Sequence, residues 1–391
     1  MNNVLKNLDA EDLGQQLKYA RKREDLTQED IAEILGVART TITAIENGER
    51  KLRPAEIMKI AEKFGKSVHD LLRIQKPSEP FQVQFRAAYD RTKEEDETVK
   101  PIIDKFEALC RDYYELENIV NGNVYRNYPV TYDISNAKVE NAAESIAIKE
   151  RNRLGLGDGP LSMLRDILEQ DVGLRIFYIK MPAKYSEMYT YNNVLGGCMA
   201  INSHHPEVRR RWSMSHGYAH FLTHRKESVV EQDQRVKRVP RKEKFADEFA
   251  KHFLMPTNSI INKYNDIKAT KEAFTIADLF IMAHYYGVST QAMTKRLEGM
   301  NLIEIGTWQK LKEKDINIGE IKRKFNLEEL PQRDDKFPRT YQYFSLYAYS
   351  KGLITEGQFA RFLRMNRMEA RKLANELQLD SYDELELEKS L

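Results

Sequence analysis

Two histidines spaced four residues apart carry the most specific chemistry in this sequence of 391 residues. His216 and His220 lie in the segment RRRWSMSHGYAHFLTHR, which predicts a helix over 207–225. One helical turn separates positions i and i+4, so both imidazoles project from the same face. Two imidazoles in this arrangement can bind one tetrahedral zinc ion. The segment therefore predicts a metal-binding helix.

The residue after the first histidine, Gly217, limits what such a helix can do. In an H-E-x-x-H zinc site, the glutamate at this position takes the proton from the attacking water. Glycine cannot accept a proton, and loss of a positioned base lowers a rate by about 10²–10⁴. Glycine inside a helix is also ~1 kcal/mol less favourable than alanine, which indicates that another group packs closely against Gly217.

The surrounding segments predict a scaffold that combines helices with a small sheet. Residues 137–153 and 161–170 have helical patterns, whereas 173–181 and 196–202 are rich in β-formers and are bounded by turn residues. The segment EKFADEFAKHFLMP predicts another helix that starts near Glu243. This order of elements indicates an α+β domain with a third polar candidate, Glu243, on a later helix.

The run of strand, H-x-x-x-H helix, E-x-x-A-D-x-F-A and L-M-P resembles the ImmA/IrrE family of zinc-dependent peptidases over about residues 137–300. The resemblance implies that His216, His220 and Glu243 are zinc ligands and that Gly217 occupies the general-base position. Members of the family cleave a partner protein, often a transcriptional repressor. The glycine departs from the family pattern at the catalytic step, so the resemblance predicts the fold of a peptidase more strongly than its activity.

Several alternatives remain for this site. The histidines either retain zinc or pack in a core without a metal. Asp247 and Glu248 are nearby carboxylates that could replace the missing base, although they belong to a different helix. His224, one further turn along, is expected to lie outside the ligand set. A single change, Gly217→Glu, would restore the motif.

The first 76 residues predict a small helical domain. Thr27 and Asp30 have capping-box spacing before a helix over 28–35, and Gly36 ends that helix. A short turn leads to a helix over 39–46 that buries Ile42 and Ile45. Pro54 starts the next helix, and apolar residues on both sides complete a predicted set of five short helices. Two of them across a tight turn form a helix-turn-helix.

The string TQEDIAEILGVARTTITAIENGERKLRP resembles the Xre/Cro-type repressors along its whole motif, except that Ala38 replaces the usual capping serine. The resemblance implies that the third helix enters the major groove of DNA, where its side chains read base edges. The predicted base-reading residues are Arg39, Thr40 and Thr43, and the predicted phosphate-binding residues are Gln28, Asn47, Lys51 and Arg53. A module that binds only protein is the alternative. Such modules usually bind two half-sites, so we expect a homodimer.

Length and composition set the remaining limits. The chain is long enough for two or three domains, and the predicted division is a helix-turn-helix domain over 1–76, a linker and helical connector over 77–136, the peptidase-like domain over 137–300 and a helical region over 301–391. Only two cysteines occur, which excludes a disulfide framework and a four-cysteine zinc site. The sequence has no apolar stretch of membrane-spanning length and no signal peptide, so a cytoplasmic location is expected.

The last region predicts two helices across a short turn, over 354–363 and 367–377. Its arginines favour a second helix-turn-helix, whereas its aromatic residues favour a surface that anchors a protein partner. The arginines are Arg361, Arg364, Arg367 and Arg371, and the aromatic residues are Tyr341, Tyr343, Phe344, Tyr347 and Tyr349. The acidic tail, 380–391, is expected to be mobile or bound to a partner.

Taken together, these patterns predict a mainly α-helical protein with a small β-sheet and two candidate functions. The first is a sequence-specific transcriptional regulator, autorepressing or antitoxin-like, whose peptidase-like domain lacks the catalytic glutamate and binds a signal or a partner such as a toxin or a repressor. The second is an active zinc-dependent endopeptidase that cleaves a regulatory protein. The antitoxin role is implied by the resemblance, because proteins of this combined architecture are often of that kind.

Overall fold

A computed structural model describes the chain in two compact units, Met1–Pro80 and Phe81–Leu391. The described residues are 13–14, 17–18, 20–21, 26–63, 68, 85, 98–121, 128–232, 240–271, 273–313, 323, 325, 327, 330–331 and 336–377. The acidic tail and most of the predicted first and fifth helices of the N-terminal domain lie outside them.

Three helices of the first unit are described in full. They are α1 (Gln28–Leu35), α2 (Arg39–Glu46) and α3 (Pro54–Lys63). The capping box predicted at the start of α1 is confirmed, because the side chains of Thr27 and Asp30 each accept a hydrogen bond from the other residue's backbone amide. Gly36 ends α1 in the left-handed conformation, with φ of 68°, which glycine adopts without steric cost. Helix α2 starts without a side-chain cap, as Ala38 predicted.

The core of the first unit is aliphatic and comes from one face of each helix. It contains Ile31, Leu35, Ile42, Ile45, Leu52, Ile57 and Ile60, packed with Leu13 and Leu17. Ile42 and Ile45 are fully buried, as the helical pattern predicted. This core sets the angle at which α2 presents its opposite face to solvent.

The second unit consists of helices around one sheet. Its helices are α4 (Lys100–Asn121), α5 (Val139–Arg153), α6 (Leu164–Gln170), α7 (Glu207–Thr223), α8 (Arg241–Leu254), α9 (Thr257–Thr270), α10 (Ile276–Tyr286), α11 (Thr290–Gly299), α12 (Thr307–Glu313), α13 (Arg339–Ser350), α14 (Glu356–Phe362) and α15 (Arg367–Leu377). Its strands are β1 (Arg175–Ile179), β2 (Tyr185–Asn192), β3 (Gly196–Asn202) and β4 (Val229–Gln232). The predicted class, mainly α with a small sheet, is confirmed.

The strands are ordered β1-β3-β2-β4 in the sheet. Strands β1 and β3 are parallel, whereas β2 is antiparallel to both of its neighbours. The sequence patterns predicted β1 and β3 and missed β2 and β4. Glu187 of β2 lies opposite Glu231 of β4 in the strand register, so both carboxylates belong to the same face of the sheet.

Each face of the sheet packs against a different set of helices, because successive side chains along a strand point to opposite faces. Tyr189, Met199 and Ile201 face a core that includes residues of α5, α7 and α8. Met188 and Ala200 face a second core that includes residues of α4, α13, α14 and α15. The connector helix and the C-terminal helices therefore share a core with the sheet.

That second core corrects the prediction for the C-terminal aromatic residues. Tyr341 is fully buried and Phe344 is 9% exposed, so neither belongs to an open docking surface, whereas Tyr343 is half exposed. The ring of Tyr341 packs edge-on against Tyr113 of α4, with 5.5 Å between ring centroids. Burial in this aromatic cluster explains the unusual aromatic content of α13 better than a partner surface does.

The C-terminal arginines are also engaged within the chain. Arg361 donates to Asp112 of α4 at 3.0 Å, and Arg364 forms a short ion pair with the same carboxylate. Arg371 pairs with Glu356 at 2.7 Å. Three of the four arginines that the sequence suggested for phosphate binding therefore have carboxylate partners within the chain, and a second DNA-binding helix pair stays a prediction.

Both cysteines, Cys110 and Cys198, are buried and neither forms a disulfide. No helix among the described residues has the length and hydropathy required to span a membrane.

Candidate functional site

Helix α7 supplies the two histidines from the centre of the second unit. It starts after Pro206 and ends at Thr223, and most of its residues are buried. His216 and His220 are 2% and 1% exposed, and their ring centroids lie 4.9 Å apart. The predicted i, i+4 geometry is therefore present, with both rings on one helical face.

Helix α8 brings the predicted third residue to the histidine pair. Its core face, which includes Phe245, Phe249 and Phe253, is buried, and this turns Glu243 towards α7. The Glu243 Oε2 atom lies 3.2 Å from His220 Nε2 and 3.5 Å from His216 Nε2. The three ligand atoms lie within 4.8 Å of one another, and in the described part of the chain no other group of three such residues is close enough to hold a metal.

The donor set fits zinc. The His216 Nε2 atom is buried and makes no hydrogen bond to the residues that the structure describes, although a buried imidazole nitrogen normally has a partner. Two imidazoles and one carboxylate leave a fourth tetrahedral position open, which is the arrangement of zinc sites that bind an exchangeable ligand. His216, His220 and Glu243 would therefore hold zinc in this centre.

The electrostatics of the three residues also suit a cation. Burial tends to lower the pKa of His216, but the negative charge and hydrogen bond of Glu187 outweigh it and raise the pKa to about 10. Burial lowers the pKa of His220 to about 4, against the opposing effect of Glu243. Burial tends to raise the pKa of Glu243, but its hydrogen bond with His220 and the nearby histidine charges lower it to about 2. Without a metal, a proton on His216 supplies the positive charge.

The structure adds two carboxylates that sequence reasoning missed, Glu187 and Glu231. The Glu187 Oε1 atom accepts a hydrogen bond from His216 Nδ1 at 2.9 Å. Burial raises the pKa of Glu187, against the opposing charge of His216. Burial likewise raises the pKa of Glu231 to about 7. One signal was available: Glu187 interrupts a run of alternating tyrosines in YSEMYTYN, where an apolar strand face is expected.

Gly217 lies against the sheet, which confirms the expectation of a close neighbour. A Cβ atom at this position would lie 3.1 Å from Glu187 Oε1 and 3.1 Å from Met199 Cε. Few side-chain contacts in proteins are this tight, so one neighbour would have to move to admit a side chain.

The other predicted residues near the centre have separate surroundings. The Asp247 Oδ1 atom lies 3.9 Å from His216 Nε2, and the Asp247 side chain is 55% exposed. Glu248 instead forms a short ion pair with Lys251. His224 exchanges a hydrogen bond with Thr223 at 2.7 Å and is not among the three clustered ligands. Asp247 is therefore the better placed of the two carboxylates considered as a replacement base.

The predicted DNA-binding residues lie on and beside α2. Six of the seven are exposed, and these are Arg39, Thr40, Thr43, Asn47, Lys51 and Arg53. Gln28 differs, because it is partly buried and its amide nitrogen donates to Glu46 at 2.8 Å. The Glu46 carboxylate also accepts from Arg21 at 2.7 Å, so this buried network fixes α2 against its neighbours.

Comparisons with known proteins match both units. The helix-turn-helix family profile matches residues 17–71, and a profile described as IrrE N-terminal-like domain matches residues 169–298. The second match includes both histidines, Gly217 and Glu243.

Individual proteins give two further similarities. An uncharacterized HTH-type transcriptional regulator from Methanocaldococcus jannaschii is 47% identical over 55 residues, which cover 14% of this chain and 83% of that protein. The crystal structure of ComR from Streptococcus suis aligns with 12% identity and a TM-score of 0.16, covering 94% of this chain and 96% of that one.

Proposed function

This chain belongs to the helix-turn-helix family of transcriptional regulators and carries an IrrE N-terminal-like domain, and we propose that it is a sequence-specific regulator whose second domain binds zinc without cleaving peptides. The observation that carries this proposal is Gly217, which stands beside an assembled ligand set at the position of the catalytic base. A site that keeps its ligands and lacks its base is suited to binding.

In DNA binding, the exposed face of α2 enters the major groove. Arg39 has a planar guanidinium that can donate two hydrogen bonds to guanine, and Thr40 and Thr43 contact neighbouring base edges. Asn47, Lys51 and Arg53 bind phosphates, which adds affinity without sequence preference. Exposure of all six side chains supports these roles. Gln28 is expected to contribute less, since its amide already pairs with Glu46.

Two copies of the chain bind one operator. A single module of this size contacts few base pairs, whereas two modules on a palindrome multiply their discrimination. The proposed assembly on DNA is therefore a homodimer.

In the second unit, His216, His220 and Glu243 hold zinc. A zinc ion bound here supplies Lewis acidity to whatever occupies its open position. The buried histidines fix two ligand directions, and Glu243, whose side chain is 19% exposed, closes the centre on the solvent side. The protein thereby offers a selective binding site for a small ligand or for a side chain of a partner.

The partner is a protein, and the chain acts as an autorepressor or antitoxin. A groove of about 780 Å³ is lined in part by Tyr132, Ile134, Thr223, His224 and Lys242. The ring centroid of His224 lies 6.2 Å from that of the ligand His220. The position of the groove supports contact with an extended segment of another protein, because His224 and Lys242 are close in sequence to the ligands His220 and Glu243. Binding of the partner would then change occupancy of the operator.

The first test is a competition mobility shift with the full chain on DNA from upstream of its own gene. We expect binding that resists random competitor DNA, and loss of this preference in a variant with Arg39→Ala and Thr43→Ala. Equal competition by specific and random DNA would contradict the proposed regulator. A parallel incubation of the zinc-loaded chain with proteins encoded by neighbouring genes tests the second domain, and complex formation without cleavage is expected.

A peptidase is the second candidate, and Asp247 favours it. This exposed carboxylate lies 3.9 Å from the metal-facing nitrogen of His216, within reach of one intervening water. Zinc-dependent cleavage of a neighbouring-gene product that disappears in Asp247→Asn and persists in Glu248→Gln would establish it. Absence of cleavage in the wild-type protein would leave the binding role.

A further inference from the structure

Gly217 is a glycine for a spatial reason. Several of the described glycines have a left-handed backbone, which explains why they are glycine. Gly217 lies within a regular helix and does not have that conformation. What sets it apart is the sheet, since a Cβ atom would lie 3.1 Å from Glu187 Oε1 and 3.2 Å from Met199 Sδ. The methionine is flexible and can move aside, whereas the glutamate is held by His216.

Glu187 reaches this point from the neighbouring sheet. Its strand, β2, directs alternate side chains towards α7, and the Glu187 side chain is 1% exposed. One carboxylate oxygen accepts from His216 Nδ1 at 2.9 Å. The other, Oε2, is buried and makes no hydrogen bond to the residues described here. A buried carboxylate is costly unless it is paired, so the contact with His216 accounts for its position.

We propose that Glu187 is a positioning residue of the metal centre and that Gly217 provides the space it needs. The inference rests on the proposed zinc-binding role of His216. A carboxylate that accepts from Nδ1 directs the opposite nitrogen, Nε2, towards the metal and strengthens it as a donor. Because Nδ1 and Nε2 lie on opposite sides of the ring, Glu187 acts through His216 and does not bind the metal itself.

The glycine and the strand glutamate are therefore a matched pair. In an H-E-x-x-H helix the carboxylate beside the first histidine comes from the helix. In this chain the helix position is empty and a carboxylate from the sheet occupies the adjoining space. The carboxylate in this centre therefore supports the ligand His216. A peptidase site that had only lost its base would lack this second carboxylate.

Glu231 offers a matched control for the chemistry of Glu187. It lies opposite Glu187 in the strand register, and the two carboxylates lie close enough for their charges to interact. In the described part of the site, Glu231 accepts no hydrogen bond from a histidine. Glu231→Gln alters a neighbouring buried carboxyl group and leaves the hydrogen bond between Glu187 and His216 intact.

The test is the zinc affinity of the full-length protein, measured by competition with a chromophoric chelator. Glu187→Gln is expected to weaken zinc binding by about 10- to 100-fold, the usual effect of removing the carboxylate that supports a ligating histidine. Glu231→Gln is expected to change it by less than about threefold, as for a carboxylate that supports no ligand. Equal losses in the two variants, or no loss in Glu187→Gln, would overturn the proposal.

A second variant tests the space itself. Gly217→Ala keeps every charge and places a methyl group against Glu187 Oε1, so zinc affinity is expected to fall although alanine favours the helix. Gly299→Ala is the control, because a Cβ atom there has no neighbour within 4 Å. In a Glu187→Gln background, Gly217→Ala is expected to cost less than it does alone. Additive losses would show that Gly217 does not act through Glu187.

The metal centre and the role of Glu187 are distinguished by different outcomes. A wild-type protein that binds no zinc would overturn the metal centre and this inference together. A wild-type protein that binds zinc, with Glu187→Gln equal to it, would overturn only the role of Glu187. Circular dichroism of each variant identifies any loss of fold, and the Co²⁺ absorption spectrum of the loaded protein reports whether the ligand geometry has changed.

Discussion

The Glu243 Oε2 atom lies 3.2 Å from His220 Nε2, although the two residues are separated by 23 positions in the sequence. The contact joins α8 to α7 and completes a centre that neither helix forms alone. Since His216 faces the same carboxylate, the loss of any one residue leaves two ligands, which are too few for a stable zinc site.

Removing a ligand should therefore remove the metal. We expect about one zinc ion per wild-type chain and almost none in His220→Ala, because two remaining ligands bind zinc weakly. Elemental analysis after dialysis against a mild chelator measures both. His224→Ala is the matched control, since this histidine directly follows the end of α7 and lies outside the ligand cluster. Retention of zinc by His220→Ala would exclude the assigned site.

Zinc binding should depend on pH through His216. Glu187 raises the pKa of His216 to about 10 in the metal-free site, against the effect of burial, so the ring carries a proton at neutral pH. Zinc must displace that proton, and the measured affinity should rise by about tenfold per pH unit from pH 6 to 8. Chelator competition at a series of pH values tests this. An affinity that does not change with pH would mean that His216 is already neutral.

Restoring the helix glutamate should not by itself restore a peptidase. In Gly217→Glu the new side chain begins 3.1 Å from Glu187 Oε1, and two carboxylates in one buried space repel each other. We expect no zinc-dependent cleavage of a candidate partner protein by this variant, and weaker zinc binding than in the wild-type protein. Cleavage by the single variant would contradict the matched pair.

Combining Gly217→Glu with Glu187→Ala removes the repulsion between the two carboxylates. The double variant should bind zinc more tightly than Gly217→Glu alone, because the new glutamate then has room beside His216. The zinc affinities of Gly217→Glu, Glu187→Ala and the double variant, each compared with that of the wild type, give the coupling between the two positions.

Mutations on and beside α2 should distinguish the residues that read bases from those that bind phosphates. Arg39→Ala is expected to weaken binding to the operator by ~1–3 kcal/mol and to leave binding to random DNA almost unchanged. Lys51→Ala should weaken both by similar factors and reduce the dependence of log affinity on log salt concentration by about one unit. Fluorescence anisotropy on the two DNAs at several salt concentrations distinguishes them. Equal losses from Arg39→Ala on both DNAs would reassign it to phosphate binding.

The ion pairs that hold α14 to α4 should contribute to stability. Asp112 is 1% exposed and pairs with Arg361 at 3.0 Å, so Asp112→Ala leaves a partly buried guanidinium without this partner. We expect a loss of about 3 kcal/mol in the free energy of unfolding. Urea unfolding followed by tryptophan fluorescence reports on the second unit, since both tryptophans, Trp212 and Trp308, lie in it.

The exposed pair of Arg371 and Glu356 provides the comparison for that measurement. The Arg371 side chain is 65% exposed, so the pair is screened by water and Glu356→Ala should cost much less stability than Asp112→Ala. Equal losses for Asp112→Ala and Glu356→Ala would show that burial of the first pair has little effect.

Local patterns were sufficient for the features that depend on helix periodicity and on capping. The spacing of His216 and His220 specifies a shared helical face wherever the helix lies, and Thr27 with Asp30 specifies the start of α1 through bonds between near neighbours. The sequence by itself thus determined the helix-turn-helix, the histidine pair and the absence of a base at Gly217.

Tertiary structure decided the features that depend on contacts between distant segments. Glu187 meets His216 because β2 lies beside β3 under α7, and this strand order is not a local property of the sequence. In the same way, Tyr341 is buried because α13 packs on the far face of the sheet, where a pattern of exposed aromatics had suggested a partner surface. Spacing along the chain specified which groups could act, and packing specified which groups meet.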